Sequence, residues 1–269
     1  MDRPRIMGVL NVTPDSFSDG GCYFGPDQAL RQGLALQLEG ADLLDIGGES
    51  TRPGAAAVSL DEELSRVIPV IELLRSQTDL PISIDTSKAS VAREAMAAGA
   101  NFINDISGLH FDPEMAAVAA TTGAGLFLMH TRGRPAEMQQ DTEYQDLLSE
   151  VLEGLQQSVA MARLAGVAQH SLAVDPGIGF GKSVAGCLDL LHQLERLHQL
   201  GCPILLGTSR KSFIGKLLRQ EDPNLRLAGT LATVALAVAQ GVQLFRVHDV
   251  KSARDAALVA WAIRERRLP

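Results

Sequence analysis

Six times along this chain of 269 residues a helix-like segment stops at glycine and a short apolar run follows at once. The stops are Glu39-Gly40-Ala41, Ala98-Gly99-Ala100, Thr122-Gly123-Ala124, Ala165-Gly166-Val167, Leu200-Gly201-Cys202 and Gln240-Gly241-Val242. Glycine just past a helix end takes up the left-handed cap that a residue with a Cβ adopts only at a cost. The repeated order is therefore helix, glycine, short loop, strand.

The apolar runs supply the strands: Ile6–Leu10, Leu43–Ile46, Ile82–Ile84, Phe102–Ile103, Gly125–Met129, Leu172–Val174, Ile204–Leu206 and Leu244–Val247. Short, nearly continuous apolar segments suit parallel strands covered on both faces. Leu60–Gln77 repeats apolar residues at helical spacing through Leu64, Val67, Ile68, Ile71 and Leu74. Tyr144–Ala165, Ala228–Gln240 and Ala253–Arg267 read as helices too. Eight such alternations predict one α/β domain over residues 1–269, a (β/α)8 barrel ringed by helices, with an open doubly wound sheet as the alternative.

Composition narrows the function. The net charge of −8 argues against a general nucleic-acid binder, while a local basic cluster can still attract a small anion. No run of about 18 apolar residues predicts a membrane span, and no signal peptide is apparent at the N-terminus. Cys22, Cys187 and Cys202 lack metal-binding spacing and read as reduced thiols.

Polar residues crowd the carboxyl ends of the predicted strands, which in a barrel meet on one face where active sites are built. They include Asn11, Thr51 with Arg52 and Pro53, Asp85, Asn104, Asp175, Ser209 with Lys211, Arg246 and His248. Helix capping is the competing explanation for each, and Ser59, Ser87, Asp112 and Ser252 are assigned to it. It is weaker for Asp85, Asn104 and Arg246, which lie within strands and need one another or a ligand, because an unpaired buried charge is costly. Asn11, Thr51, Arg52, Arg246 and His248 suit a phosphate or diphosphate. Asp85, Asn104, Asp175 and Lys211 suit a flat heterocycle with amino and carbonyl edges. Gly179-Phe180-Gly181-Lys182 lacks the spacing of a nucleotide phosphate loop. It reads as a tight turn with Phe180 as a packing face, and a plain turn is the alternative for Lys182. Met129 reads as core with one edge on the pocket, and His130 as a core histidine.

Taken together, MGVLNVTPDSFSDGG, DLLDIGGESTRPGA, ISIDTSK, NFINDISG, LFLMH, AVDPGIGFGK, LLGTSRKSFIG and FRVHDVK resemble the dihydropteroate synthase family, in family order along nearly the whole chain. Thr131-Arg132 departs from the more usual Met-Gln. The resemblance implies that 4-aminobenzoate displaces diphosphate from (7,8-dihydropterin-6-yl)methyl diphosphate to give 7,8-dihydropteroate for folate synthesis. It also implies Mg2+, a cytoplasmic homodimer, and neither nucleic acid nor membrane as partner. Asp85, Asn104, Asp175 and Lys211 match pterin-holding positions. Asn11 matches the metal and diphosphate position, and Thr51, Arg246 and His248 match diphosphate contacts. Ser209, Pro53, Phe17 and Phe180 fall around the aminobenzoate, while Arg52 and Asp19 belong to the first two loops. The implied catalytic group is Asp85, Lys211, Asp19 and Arg52, acting in a dissociative, SN1-like departure of diphosphate. A pterin-dependent methyltransferase would share the ring pocket but needs no diphosphate clamp. A non-catalytic pterin-binding paralogue is the rival of another class.

Overall fold

The computed structural model describes residues 3–13, 25–51 and 54–268. Eight parallel strands form the sheet: β1 (Arg5–Asn11), β2 (Leu43–Gly47), β3 (Ile82–Asp85), β4 (Phe102–Asp105), β5 (Gly125–Met129), β6 (Leu172–Asp175), β7 (Leu205–Leu206) and β8 (Leu244–Val247). Strand pairing runs from β6 down to β1, then to β8 and β7. A parallel bridge between Val174 and Ile204 joins β6 to β7 and closes the (β/α)8 barrel. The α-helices among the described residues are α1 (Pro26–Leu38), α2 (Leu60–Gln77), α3 (Ala89–Ala97), α4 (Met115–Thr122), α5 (Leu147–Leu164), α6 (Val184–His192), α7 (Ser212–Leu218), α8 (Leu227–Ala239) and α9 (Val250–Glu265). None is long and apolar enough to cross a membrane.

The glycine punctuation holds. Gly40, Gly99, Gly123, Gly166, Gly201 and Gly241 all have positive φ, between 65° and 112°. Two of the expected caps are different in the structure. Ser59 caps α2 by accepting from the Glu62 N–H, and Asp112 accepts from the N–H groups of Ala89 and Glu114. Ser87, however, precedes the cap position Lys88, and Ser252 lies inside α9, after the cap position Asp249.

Strand alternation sorts the side chains into two layers. Outward residues such as Leu10, Ile46, Ile84, Ile103, Leu128, Val174 and Phe245 join the helices in one large apolar core. Inward residues Met7, Leu43, Phe127, Ala173, Leu205 and Leu244, with Phe102 packed on them, make a separate apolar plug inside the barrel. Register carries the inward set upward and around. Asn11 stands opposite Gly47, Gly47 opposite Asp85, Asp85 opposite Asn104, and Asn104 opposite Phe127. The same inward face that is apolar near the strand starts becomes polar at the carboxyl ends.

The opposite end of the barrel is tied by Asp42, just before β2. Its carboxylate accepts from Arg3 at 2.6 Å, from Arg5 at 3.2 Å and from the Ile6 N–H at 2.8 Å. Half-burial alone would raise its pKa, but these hydrogen bonds outweigh it and hold the carboxyl below its ordinary value. Its stabilising contribution is present above the unfolded pKa near 3.9 and is lost as pH falls through the lower folded value. Asp42→Asn is expected to lower the unfolding free energy by about 1 kcal/mol at pH 7. In denaturant titrations that deficit should shrink below about pH 4; a deficit constant from pH 7 to pH 2 would refute the assignment.

Candidate active site

Above the apolar plug, one guanidinium organises the interior. Arg246 of β8 donates through Nε to Asp45 Oδ2 at 2.5 Å and through Nη2 to Asp85 Oδ2 at 2.6 Å. Asn104 Nδ2 donates to the same Asp45 oxygen at 3.0 Å. Asp45, Asp85 and Asn104 are all buried. The remaining oxygens, Asp45 Oδ1 and Asp85 Oδ1, are buried with no hydrogen-bond partner among the described residues. Unsatisfied buried acceptors of this kind are rare and costly, so the site is built to receive donors.

The electrostatics follow from crowding. Burial pushes the Asp85 carboxyl up to about 7; Arg246 opposes this, while Asp45 and Glu63 add to it. Burial works against the Arg246 charge too, but Asp45 and Asp85 outweigh it and hold the guanidinium above its ordinary range. Asp175, at the end of β6, is raised by burial against the pull of Lys211. Lys211 is lowered by burial to about 8 against the support of Asp175. The interior thus holds two carboxylate–cation groupings, in which burial brings Asp85 and Lys211 toward neutral pH.

Two glycines leave the floor open. A Cβ on Gly207 would sit 3.8 Å from Asp175 Oδ2 and 3.9 Å from both Arg246 Cβ and Lys211 Nζ. A Cβ on Gly47 would sit 3.6 Å from Asp85 Oδ2 and 3.8 Å from Asn11 Oδ1. The spaces over these glycines are where a flat ligand and its charged tail can approach the polar side chains.

The walls come from the strand-end loops. Lys211 caps α7 and donates to the Ile178 carbonyl, with Nζ 4.6 Å from the centre of the Phe180 ring. Arg210 before it holds a left-handed φ of 58°, fixed by a two-point ion pair with Asp249 at 2.6 and 2.9 Å. That pinned residue separates Lys211 from Ser209, whose hydroxyl meets His248 Nδ1 at 2.9 Å and accepts from the His248 N–H at 3.1 Å. Met129 is buried and stands opposite Asp175 in the strand register, on the inward face. Thr51 lines a cleft beside Asp85, together with Glu63, Thr86, Ile106 and Phe111. The stem of the second loop is anchored by Lys88, which binds both Glu49 and Glu63, and Gly54 N–H donates to the Pro135 carbonyl at 3.1 Å. Phe17, Asp19, Cys22, Arg52 and Pro53 lie outside the described residues.

The structure therefore brings together Asn11, Asp85, Asn104, Asp175, Lys211 and Arg246 around one mouth, with Thr51, Ser209, His248, Phe180 and Met129 around it. Arg246, expected among the diphosphate contacts, gives two of its donors to the carboxylates of the inner layer. The structure also gives Lys182 a buried, bonded position in place of a plain turn. Sequence reasoning missed Asp45, hidden in an apolar strand, and the two floor glycines. The signal for Asp45 was its shared inward face with Leu43 and Gly47. Among the described residues no group of three His, Cys, Asp or Glu side chains is arranged for a metal.

Comparison with known proteins agrees with this geometry. Residues 7–248 match the family described as pterin binding enzyme. A dihydropteroate synthase of Synechocystis sp. is 50% identical over 261 residues, covering 97% of this chain and 90% of that protein. The dihydropteroate synthase of Xanthomonas albilineans, solved with 4-aminobenzoic acid, superposes with a TM-score of 0.92 at 49% identity, covering 98% of this chain and 94% of that one. Its structure in complex with 7,8-dihydropteroate gives a TM-score of 0.88 at 46% identity, with coverage of 98% and 94%. The chain belongs to the dihydropteroate synthase family of pterin-binding enzymes.

Proposed function

We propose that this chain condenses (7,8-dihydropterin-6-yl)methyl diphosphate with 4-aminobenzoate, forming 7,8-dihydropteroate and releasing diphosphate for folate biosynthesis. The observation that carries the reading is the buried Asp45–Arg246–Asp85 cluster, with an acceptor oxygen left over on each carboxylate. The amino and ring N–H groups of an aminopterin are the donors such oxygens lack. Asn104, Asp175 and Lys211 complete the pterin site, over the space left by Gly207.

The diphosphate then lies toward Asn11, Thr51 and His248. Arg246 reaches both halves, since its Nε and Nη2 bind the carboxylates and Nη1 is left for the leaving group. Mg2+ fits the donor chemistry at Asn11, whose side-chain oxygen stands beside the Asp85 carboxylate over Gly47. Magnesium prefers oxygen ligands and commonly shares substrate phosphates. When bound it would neutralise charge on the departing diphosphate.

The nucleophile is an arylamine, neutral near pH 7, so no strong base is needed. The demanding step is cleavage of the methylene–oxygen bond. Charge developing on the pterin methylene is delocalised into the ring and met by the fixed Asp85 carboxylate, a preorganised electrostatic effect. Asp19, Phe17, Arg52 and Pro53, on the first two loops, together with Ser209 and Phe180, form the aminobenzoate site in this scheme and exclude water. Two reduced, buried thiols and the absence of a candidate membrane-spanning helix among the described residues support a cytoplasmic setting.

Helix α8 supports a homodimer. It has no charged residue, and its outward residues Ala228, Ala232, Leu236 and Ala239 are all exposed and apolar. A helix apolar on every side calls for cover. Leu217, Leu218 and Leu225, in α7 and just before α8, are exposed as well, and a second copy of the chain is the occupant proposed.

Three outcomes test these readings. Purified protein with Mg2+ and both substrates should yield dihydropteroate, and folded Asp85→Asn should lose at least about 100-fold in kcat; no turnover from folded wild-type protein would refute the enzyme assignment. The raised carboxyl gives kcat/KM a limb that climbs with pH through about 7, where a flat profile from pH 5 to 8 would count against a role for ionised Asp85. Leu236→Arg should convert the dimer to monomer in sedimentation velocity; a wild-type chain already monomeric, or a variant still dimeric, argues against the α8 face.

A further inference from the structure

Lys182 is only 3% exposed and forms no ion pair among the described residues, and burial pushes its pKa down to about 7. Its Nζ donates to the Phe180 carbonyl at 2.9 Å and to the His130 carbonyl at 3.3 Å, and stands 3.1 Å from His130 Nδ1. Burial of an amine that carries charge in water costs stability. Something other than folding accounts for a lysine here.

What it holds is the loop after β6. Gly177, Gly179 and Gly181 have φ of 67°, 83° and 60°, alternating with non-glycine residues of ordinary φ. A Cβ on Gly177 would fall 1.9 Å from the His130 carbonyl oxygen, so the loop is pressed against the end of β5. Four successive carbonyls of this loop each accept from a different side chain. Lys211 takes Ile178, Gln139 takes Gly179 at 2.7 Å, Lys182 takes Phe180 at 2.9 Å, and Tyr144 takes Gly181 at 2.8 Å. Lys211 lies on the pocket side and also serves Asp175. Lys182 reaches the loop from the buried side, next to His130.

We propose that Lys182 is a positioning residue that fixes Phe180 as a wall of the aminobenzoate site, independently of Lys211. The division of labour is physical. Lys211 faces the pocket, so it can exchange part of its bonding to the Ile178 carbonyl for the pterin, which would loosen one of the four anchors as substrate binds. The buried Lys182 bond to Phe180 itself does not depend on that exchange. His130 suits the arrangement, because burial together with nearby Lys182 drives its pKa down to about 3 and keeps the ring neutral, with Nδ1 able to accept. The inference rests on the proposed reading of Phe180.

Lys182→Met is the test, since it keeps the length of the side chain and removes the charge. The variant is expected to fold with a lowered Tm, because the Phe180 and His130 carbonyls lose a buried donor. Its KM for 4-aminobenzoate should rise about tenfold, while the Kd for the pterin diphosphate, measured by calorimetry, stays within about twofold. An unchanged KM, or an equal loss in pterin affinity, overturns the proposal. Tyr144→Phe, which removes the neighbouring anchor at Gly181, should raise the same KM by about threefold and decides the matter where Lys182→Met fails to fold; no change there also overturns it. Wild-type turnover in the same assay separates the two ideas: its absence refutes the proposed function, whereas its presence with unaltered variants refutes only the role of Lys182.

Discussion

The ion pair of Arg246 with Asp45 and Asp85 is the constraint on which the rest of the interior depends. A guanidinium and two carboxylates inside a barrel are tolerated only if their geometry is good and their charges balance. Here the balance is incomplete, with two carboxyl groups against one guanidinium and two acceptor oxygens without donors among the described residues. That deficit is what makes the polar layer a receptor. Below it the plug of Met7, Leu43, Phe102 and Phe127 keeps the layer at a fixed height, with the two phenyl rings packed 5.4 Å apart. A substrate that brings donors completes a structure the protein leaves unfinished.

Much of this was legible in the sequence, because the signals for it are local. Glycines that need a left-handed backbone marked the helix ends, so the strands between them were placed to within a residue or two. Polar residues at strand ends pointed to one face as soon as a barrel was inferred. What stayed hidden was long-range. The partner of Arg246 is 201 positions away at Asp45 and 161 away at Asp85, and no spacing rule connects them. Asp45 itself sits in the run Leu43–Gly47 and reads as an interrupted core strand until register assigns it to the inward face. Lys182 was opaque for a related reason, since beside the nearby Phe180 carbonyl its acceptors are those of His130, at the end of a different strand. Ser87 and Ser252 show the opposite error, in which a local capping preference was overridden by where the helix began.

The two strand-end loops of the second half of the barrel use different means to the same end. After β7, an ion pair between Arg210 and Asp249 holds a strained residue in place, and strain of that kind concentrates where side chains must be aimed. After β6, side-chain donors fasten the backbone itself, carbonyl by carbonyl. Both leave Lys211 and Phe180 on rigid mounts, and most of the fastenings, those from Asp249, Gln139, Tyr144 and Lys182, come from residues not assigned to the substrates.

The barrel is not equally strong all the way around. β7 is only two residues long, and its link to β6 is a single bridge from Val174 to Ile204. Asp175 and Lys211 follow the two sides of that seam. A ligand gripped by both spans the weakest joint of the cylinder, so its binding energy is also energy of closure. A ligand held there would stabilise the folded barrel against heat and denaturant, at the very joint where strand pairing contributes least.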